Sequence, residues 1–299
     1  MGDEIWWEGL CERAGIGELR GHSFLARGAG NEVHRVETGQ GVFVLKVAKP
    51  EHGSRLGFEH AFLAKSEGNF GPGVRHFDGS GVHHGQELLV EEFLVGAHPF
   101  HLGVPEAAAL GEALRVLHSA DTAPFATFLD KPSWKGYLAS RVVPQLERSR
   151  EFSPSSVHGE IEAMVAGAGE RGRFLTPRLE MRQRGLVHTD VIPLNVVSTK
   201  DRGMVLIDWE WVRIDLPEWD LGSVLKAFTM EEGALDSFWA AYALGHDPDI
   251  LEFVGILHHL NVVAWRLCAF YEQGGYREVA DTFLADLEVE LDWLRTHLG

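Results

Sequence analysis

Between residues 19 and 93 the chain alternates short apolar runs with glycine-bearing polar breaks. Beyond residue 104 its apolar positions recur at helical spacing. The first pattern predicts three strands over 19–48. Arg27-Gly28-Ala29-Gly30-Asn31 joins the first two, and Val42-Phe43-Val44-Leu45-Lys46-Val47 forms the third. A helix over 55–64 follows, with Phe58, Phe62 and Leu63 as its apolar face, then strands around Gly73–Phe77 and Glu87–Phe93. A short helix over 3–14 precedes them, with Ile5, Trp6 and Leu10 on one side. Ala107, Leu110, Leu114 and Leu117 predict a helix that ends at His118, and residues 132–184 predict helices broken at Pro154 and Pro177. Three more helices are expected over 231–244, 249–272 and 276–297. Ile256–Phe270 is apolar nearly all round, as a central helix would be, and Phe283, Leu287, Leu291 and Leu294 form the inward stripe of the last.

One stretch departs from plain patterning. GLVHTDVIPLNVVSTKDRGMVLIDWE, residues 185–210, interleaves His188, Asp190, Asn195 and Asp208 with apolar residues. Leu194–Val197 and Met204–Ile207 read as two buried strands joined by a turn at Asp201-Arg202-Gly203. A hairpin brings its ends together, so Asp190, Asn195 and Asp208 would converge. Converging oxygen groups suit phosphoryl transfer: Mg²⁺ takes oxygen ligands, and a separate carboxylate must orient the acceptor hydroxyl. The plainer reading, capping residues around a buried hairpin, explains any one of these residues but not their joint spacing. The glycine-bearing turn at Gly28, Gly30 and Asn31 adds backbone N–H groups that can approach phosphate, although turns between strands hold glycine for geometry alone as well.

Bulk properties narrow the partners. The 299 residues carry a net charge of −17, which argues against nucleic acid. No run reaches membrane-spanning length and the start is acidic, so a cytoplasmic protein with no membrane partner is expected. Cys11 and Cys268 are expected to be free buried thiols, and the scattered histidines suggest no metal site. Arg171, Arg173, Arg178, Arg182 and Arg184 read as a solvated helix face. Residues 185–299 hold 20 acidic and 7 basic side chains, a balance of −13. Glu210, Trp211, Asp215 and Glu218 follow Asp208 closely and read equally as candidates for holding an acceptor that carries positive charge and as solvated helix-cap acids beside a core Trp.

HxDxxxxN, followed thirteen residues later by the Asp of Ile207-Asp208-Trp209-Glu210, resembles the aminoglycoside phosphotransferase and choline kinase family, the small-molecule branch of the protein-kinase-like fold. The family usually has Gly where this chain has Thr189. The resemblance implies an α+β fold of two lobes, a five-stranded antiparallel N-terminal lobe over 1–95 and a mainly helical lobe over 96–299. It implies Asp190 as catalytic base and Asn195 and Asp208 as Mg²⁺ ligands. Lys46 would reach the phosphates of ATP and pair with Glu59, while Glu91 and Phe93 would bind adenine through main-chain groups. Asp220 would support the catalytic loop. The activity implied is ATP- and Mg²⁺-dependent transfer of the γ-phosphoryl group to a hydroxyl of a small molecule, an aminoglycoside or amino alcohol if the acceptor is cationic. The alternative is a kinase-like nucleotide-binding scaffold without catalysis, against which Lys46, Asp190, Asn195 and Asp208 all stand in place.

Overall fold

The structure, a computed structural model, describes residues 2–28, 30–49, 55–83, 85–150, 155–272 and 280–298. The chain opens with α1 (Gly2–Ala14), β1 (Leu19–Arg27), β2 (Asn31–Thr38), β3 (Gly41–Ala48), α2 (Leu56–Ser66), β4 (Val74–His83) and β5 (Gln86–Glu92). Then come β6 (Gly96–Ala97), β7 (His101–Leu102), α3 (Val104–His118), α4 (Trp134–Tyr137), α5 (Val143–Ser149) and α6 (Ser155–Met181). The remainder is β8 (Gly185–Val187), β9 (Val196–Thr199), β10 (Gly203–Leu206), β11 (Arg213–Asp215), α7 (Glu218–Ala227), β12 (Thr229–Met230), α8 (Ala234–Tyr242), α9 (Pro248–Glu272) and α10 (Ala280–Leu298).

Contacts divide these elements into two compact units, drawn differently from a boundary at residue 95. The first takes Met1–Leu129, Leu186–Arg213 and Ala227–Leu244; the second takes Asp130–Gly185, Ile214–Lys226 and Gly245–Gly299. The first unit contains the expected five-stranded antiparallel sheet, in the order β1-β2-β3-β5-β4. Strand alternation sorts its two faces. Phe43, Leu45 and Val47 of β3, with Leu88 and Val90 of β5, pack against Trp7, Leu10 and Cys11 of α1. Ala48 and Leu89 turn the other way and meet Leu56 of α2. The hairpin β9–β10 forms as expected, but its first strand begins at Val196, because Pro193–Asn195 is a 3₁₀ turn. β6 pairs with β9, an approach so close that a Cβ on Gly96 would lie 2.2 Å from the Ser198 carbonyl oxygen. In the same unit α3 and α8 pack tightly. A Cβ on Gly111 would stand 2.5 Å from the Phe238 carbonyl oxygen, and His118 Nδ1 is 3.0 Å from the Tyr242 hydroxyl.

The second unit is helical, with α9 at its centre. Ile250, Phe253, Ile256, Leu260, Val263 and Ala264 are fully buried, so this helix is core as expected. Pro248–Cys268 is long and apolar enough to cross a membrane by length and composition, but it packs inside this core. Leu287, Leu291 and Leu294 of α10 face inward, while the side chain of Phe283 lies outside the described residues, as does Pro154. Pro177 does not break a helix: α6 runs through it. Leu175 and Leu179, buried on either side, supply about 1.5–3 kcal/mol each and offset the roughly 3 kcal/mol that a helix-interior proline costs.

α7, α9 and α10 meet at a buried polar group. Glu290 accepts from Lys226 at 2.9 Å and is bonded to His259, whose ring stacks on Trp293. Burial opposes ionisation of Glu290, but His259 and Lys226 overcome it and bring the carboxyl down to about 2. The ion pair therefore stabilises the fold fully above pH ~4.5, and that contribution is lost as pH falls toward 2. Glu290→Gln should lower the melting temperature at pH 7 and flatten its decline between about pH 4.5 and 2. Parallel thermal melts of the two proteins across that range would remove Glu290 from the acid response.

Candidate active site

The alternation that sends Leu45 and Val47 to α1 sends Lys46 to the opposite face. Leu89 stands opposite Lys46, and Glu91 opposite Val44, so Glu91 shares that face. Glu59 reaches it from α2. Lys46 Nζ lies 2.6 Å from Glu59 Oε1, 3.4 Å from Glu91 Oε2 and 3.5 Å from Asp208 Oδ1. Burial by itself would discharge the lysine, but Glu59, Glu91 and Asp208 more than compensate and hold its pKa well above the ordinary value. One positive charge shared among several carboxyls leaves some of them poorly served. Burial pushes Glu59 up, and it pushes Glu91 up to about 8, with Lys46 opposing and Glu59 and Asp208 adding to the rise.

Asp190, Asn195 and Asp208 stand on the hairpin and its approach, and the bonds there tie them together. Asn195 Nδ2 donates to the Asp190 carboxylate at 2.7 Å and to the Asp190 carbonyl at 3.0 Å. The Ile207 N–H donates to the Asn195 carbonyl at 2.9 Å and ties the two ends of the hairpin. His188 is fully buried; its Nδ1 accepts from the Asp190 N–H at 3.3 Å, which leaves Nε2 as the donor to the Ile207 carbonyl at 2.9 Å. Trp209 fills the space beneath, stacked on Phe62 and edge-on to His188, and its backbone N–H donates to Glu59 Oε1 at 2.8 Å. Helix α2, the loop and the strand exit are thus bonded to one another.

Two residues here have left-handed backbones, Thr189 at φ 74° and Asp208 at φ 67°. Asp tolerates this region; a β-branched Thr does so only under constraint. The Thr189 hydroxyl donates to the Trp211 carbonyl at 3.1 Å, a bond that glycine could not make. The departure at this position therefore keeps glycine's backbone and adds a tether.

The glycine-bearing turn closes on this region. The Gly28 N–H donates to the Asn31 carbonyl at 2.9 Å, the Lys49 N–H donates to the Gly30 carbonyl at 2.8 Å, and Ala29 lies outside the described residues. Asn31 is buried, and its Nδ2 lies 3.4 Å from Glu210 Oε2. Burial, then Asp208 and Glu59, push Glu210 up to about 7. Arg55, which patterning did not single out, donates from Nε to the Glu210 carbonyl at 2.6 Å and covers the rings of Phe58 and Trp211.

Other expected residues fall elsewhere. Glu91 pairs in register with strands on both sides, so its main chain lies within the sheet and its side chain is what enters the site; Phe93 follows the strand end and lies under Arg35. Asp215 and Glu218 are buried in the second unit, paired with Arg184 at 3.1 Å and Arg182 at 2.7 Å. Asp220 is fully buried on α7. Arg171 pairs with Glu252, and Arg178 with Asp247 and Asp249. Four of the five arginines expected on a solvated face are therefore partners of acids that follow them. Part of the acidic surplus after residue 184 is their counterpart.

The sequence profile of the phosphotransferase enzyme family, APH, matches residues 22–254. The chain belongs to this family. It is a small-molecule phosphotransferase with a kinase-like fold. No curated protein matches it in sequence. Among solved structures it resembles the spectinomycin phosphotransferase APH(9)-Ia in complex with ADP and spectinomycin, at TM-score 0.71 and 15% identity over 97% of this chain and 98% of that one. It resembles the choline kinase LicA from Streptococcus pneumoniae at TM-score 0.67 and 16% identity over 98% and 99%. The macrolide 2'-phosphotransferase MphH from Brachybacterium faecium follows at TM-score 0.63 and 17% identity over 98% of both chains.

Proposed function

We propose that this phosphotransferase moves the γ-phosphoryl group of ATP, with Mg²⁺, to a hydroxyl group of a small molecule. The observation that carries the reading is the meeting of Lys46, Glu59 and Asp208 in the same compact unit as the Asp190–Asn195 pair. Lys46 holds the phosphates, Glu59 keeps it in place, and the glycines of the turn at Gly28, Gly30 and Asn31 let phosphate approach the backbone. Beyond the end of β5, the main chain at Phe93 binds adenine. Asp190 orients the acceptor hydroxyl and takes its proton.

The oxygen donors fit a hard divalent ion. Asp208 supplies a partly exposed carboxylate, and both Nδ2 hydrogens of Asn195 are committed to Asp190, which leaves the amide oxygen for a metal. Bound there, Mg²⁺ would offset the charge of the phosphates. That ADP accompanies the spectinomycin phosphotransferase supports a nucleotide donor.

The residues expected to hold a cationic acceptor are already engaged. Asp215 and Glu218 are occupied by arginines, Arg55 already covers the Trp211 ring, and Glu210 is bonded to Asn31 and to Trp211 Nε1. The test is Mg·ATP turnover against a panel of aminoglycosides, amino alcohols, choline-like amines and sugars. Phosphorylation of at least one panel member is expected. Absence of both nucleotide binding and turnover would overturn the reading.

A further inference from the structure

Three carboxyl groups surround Lys46, and two of them have another task. Glu59 also accepts the Trp209 N–H, and Asp208 is partly exposed and stands in the proposed metal position. Glu91 has neither. It is 2% exposed, and its Oε1 has no hydrogen-bond partner among the described residues. A buried polar atom left unsatisfied costs free energy, and native structures hold few of them. Packing does not require this residue type, since Leu89 occupies the same face of the same strand two positions earlier. A buried acid beside Lys46 calls for an explanation in terms of that lysine.

An ammonium group has three N–H donors; here Glu59 takes one at 2.6 Å, and Glu91 and Asp208 stand at ion-pair distance, 3.4 and 3.5 Å. A phosphate oxygen must compete with these carboxyls for the lysine. Asp208 can turn to a metal and Glu59 is fixed from two sides, which leaves Glu91 as the competitor that stays. We propose that Glu91 is a specificity-determining residue of the nucleotide site, whose carboxyl group competes with phosphate for Lys46 and sets how tightly phosphate is held. This rests on the reading of Lys46 as the phosphate-binding lysine.

The charge of Glu91 decides the strength of the competition. Burial holds its carboxyl neutral up to about pH 8, and a neutral acid neither repels phosphate nor neutralises the lysine. The groups that face it are Lys46 from β3, Glu59 from α2 and Asp208 after β10, with Glu210 acting on the same cluster. Its cross-strand neighbours Val44 and Val74 are uncharged. Nucleotide affinity should therefore be highest below about pH 8 and fall as Glu91 ionises, by up to about tenfold per pH unit.

Calorimetric titration of Mg·ATP into the wild-type protein, Glu91→Gln and Glu91→Met, at pH 7 and pH 9, tests this. Near-equal affinities are expected at pH 7, and affinities roughly tenfold tighter than wild type are expected for both variants at pH 9. A purely structural role would move both pH values alike. Two variants guard against one folding poorly. Wild-type affinity that does not change with pH, or variants that bind no tighter than wild type at pH 9, would overturn the competition while leaving the proposed function intact. Wild-type protein that binds no nucleotide at either pH would overturn both.

Discussion

Asp190→Asn should lower turnover by about 10²–10⁴ and leave nucleotide affinity nearly unchanged, the range expected when a positioned proton acceptor is lost. The variant is close to isosteric. The Asn195 amide donates to the Asp190 carboxylate at 2.7 Å, and an amide oxygen at residue 190 can accept the same bond. The Asp190 N–H, which His188 accepts, is also retained. The loop should therefore keep its shape while losing only its basicity. Steady-state kinetics with a good acceptor, beside nucleotide titration, separates the two effects. A loss of less than about tenfold would take Asp190 out of the role of base.

Asp208→Asn should abolish the Mg²⁺ dependence of nucleotide binding and lower kcat/KM by at least about a hundredfold, because a bound divalent ion would stabilise the transferring charge by several kcal/mol. Asn is the informative substitution. Residue 208 has φ 67°, and Asn tolerates the left-handed region as Asp does, whereas Ala would add backbone strain to the loss of charge. Asp208→Asn also removes one of the three carboxyls around Lys46, so binding of metal-free nucleotide should hold or tighten. Titrations with and without Mg²⁺ measure both. Unchanged Mg·ATP affinity together with unchanged turnover would show that Asp208 does not hold the ion.

What the sequence disclosed was the chemistry that depends on local order. The spacing of Asp190, Asn195 and Asp208 around a turn is nearly enough to place them, because a hairpin has few ways to close. Lys46 and Glu59 were legible for a similar reason, on a short apolar strand and the helix after it. Features that depend on register between distant strands were not. Glu91 reads as one more strand residue until β5 is set against β3, and only then does its side chain share a face with Lys46. The arginines of 171–184 look solvated along a helix, and only tertiary packing brings Asp215, Glu218, Asp247 and Glu252 to them. Pro177 reads as a breaker because the burial of Leu175 and Leu179 is absent from any local rule. Thr189 could be flagged as a departure, but the bond that accommodates it comes from a carbonyl twenty-two residues later.

The packing of α3 on α8 has a consequence for synthesis. α3 is complete at His118, yet the partner that covers Gly111 and receives His118 begins only at Ala234. At ribosomal rates the apolar side of α3 waits for about 115 residues, on the order of ten seconds. During that interval the sheet and α2 can form, but the unit that holds Lys46, Asp190 and Asp208 cannot close. Nascent chains stalled shortly before α8 should therefore expose this helix to chaperones, and release past Tyr242 should end the exposure.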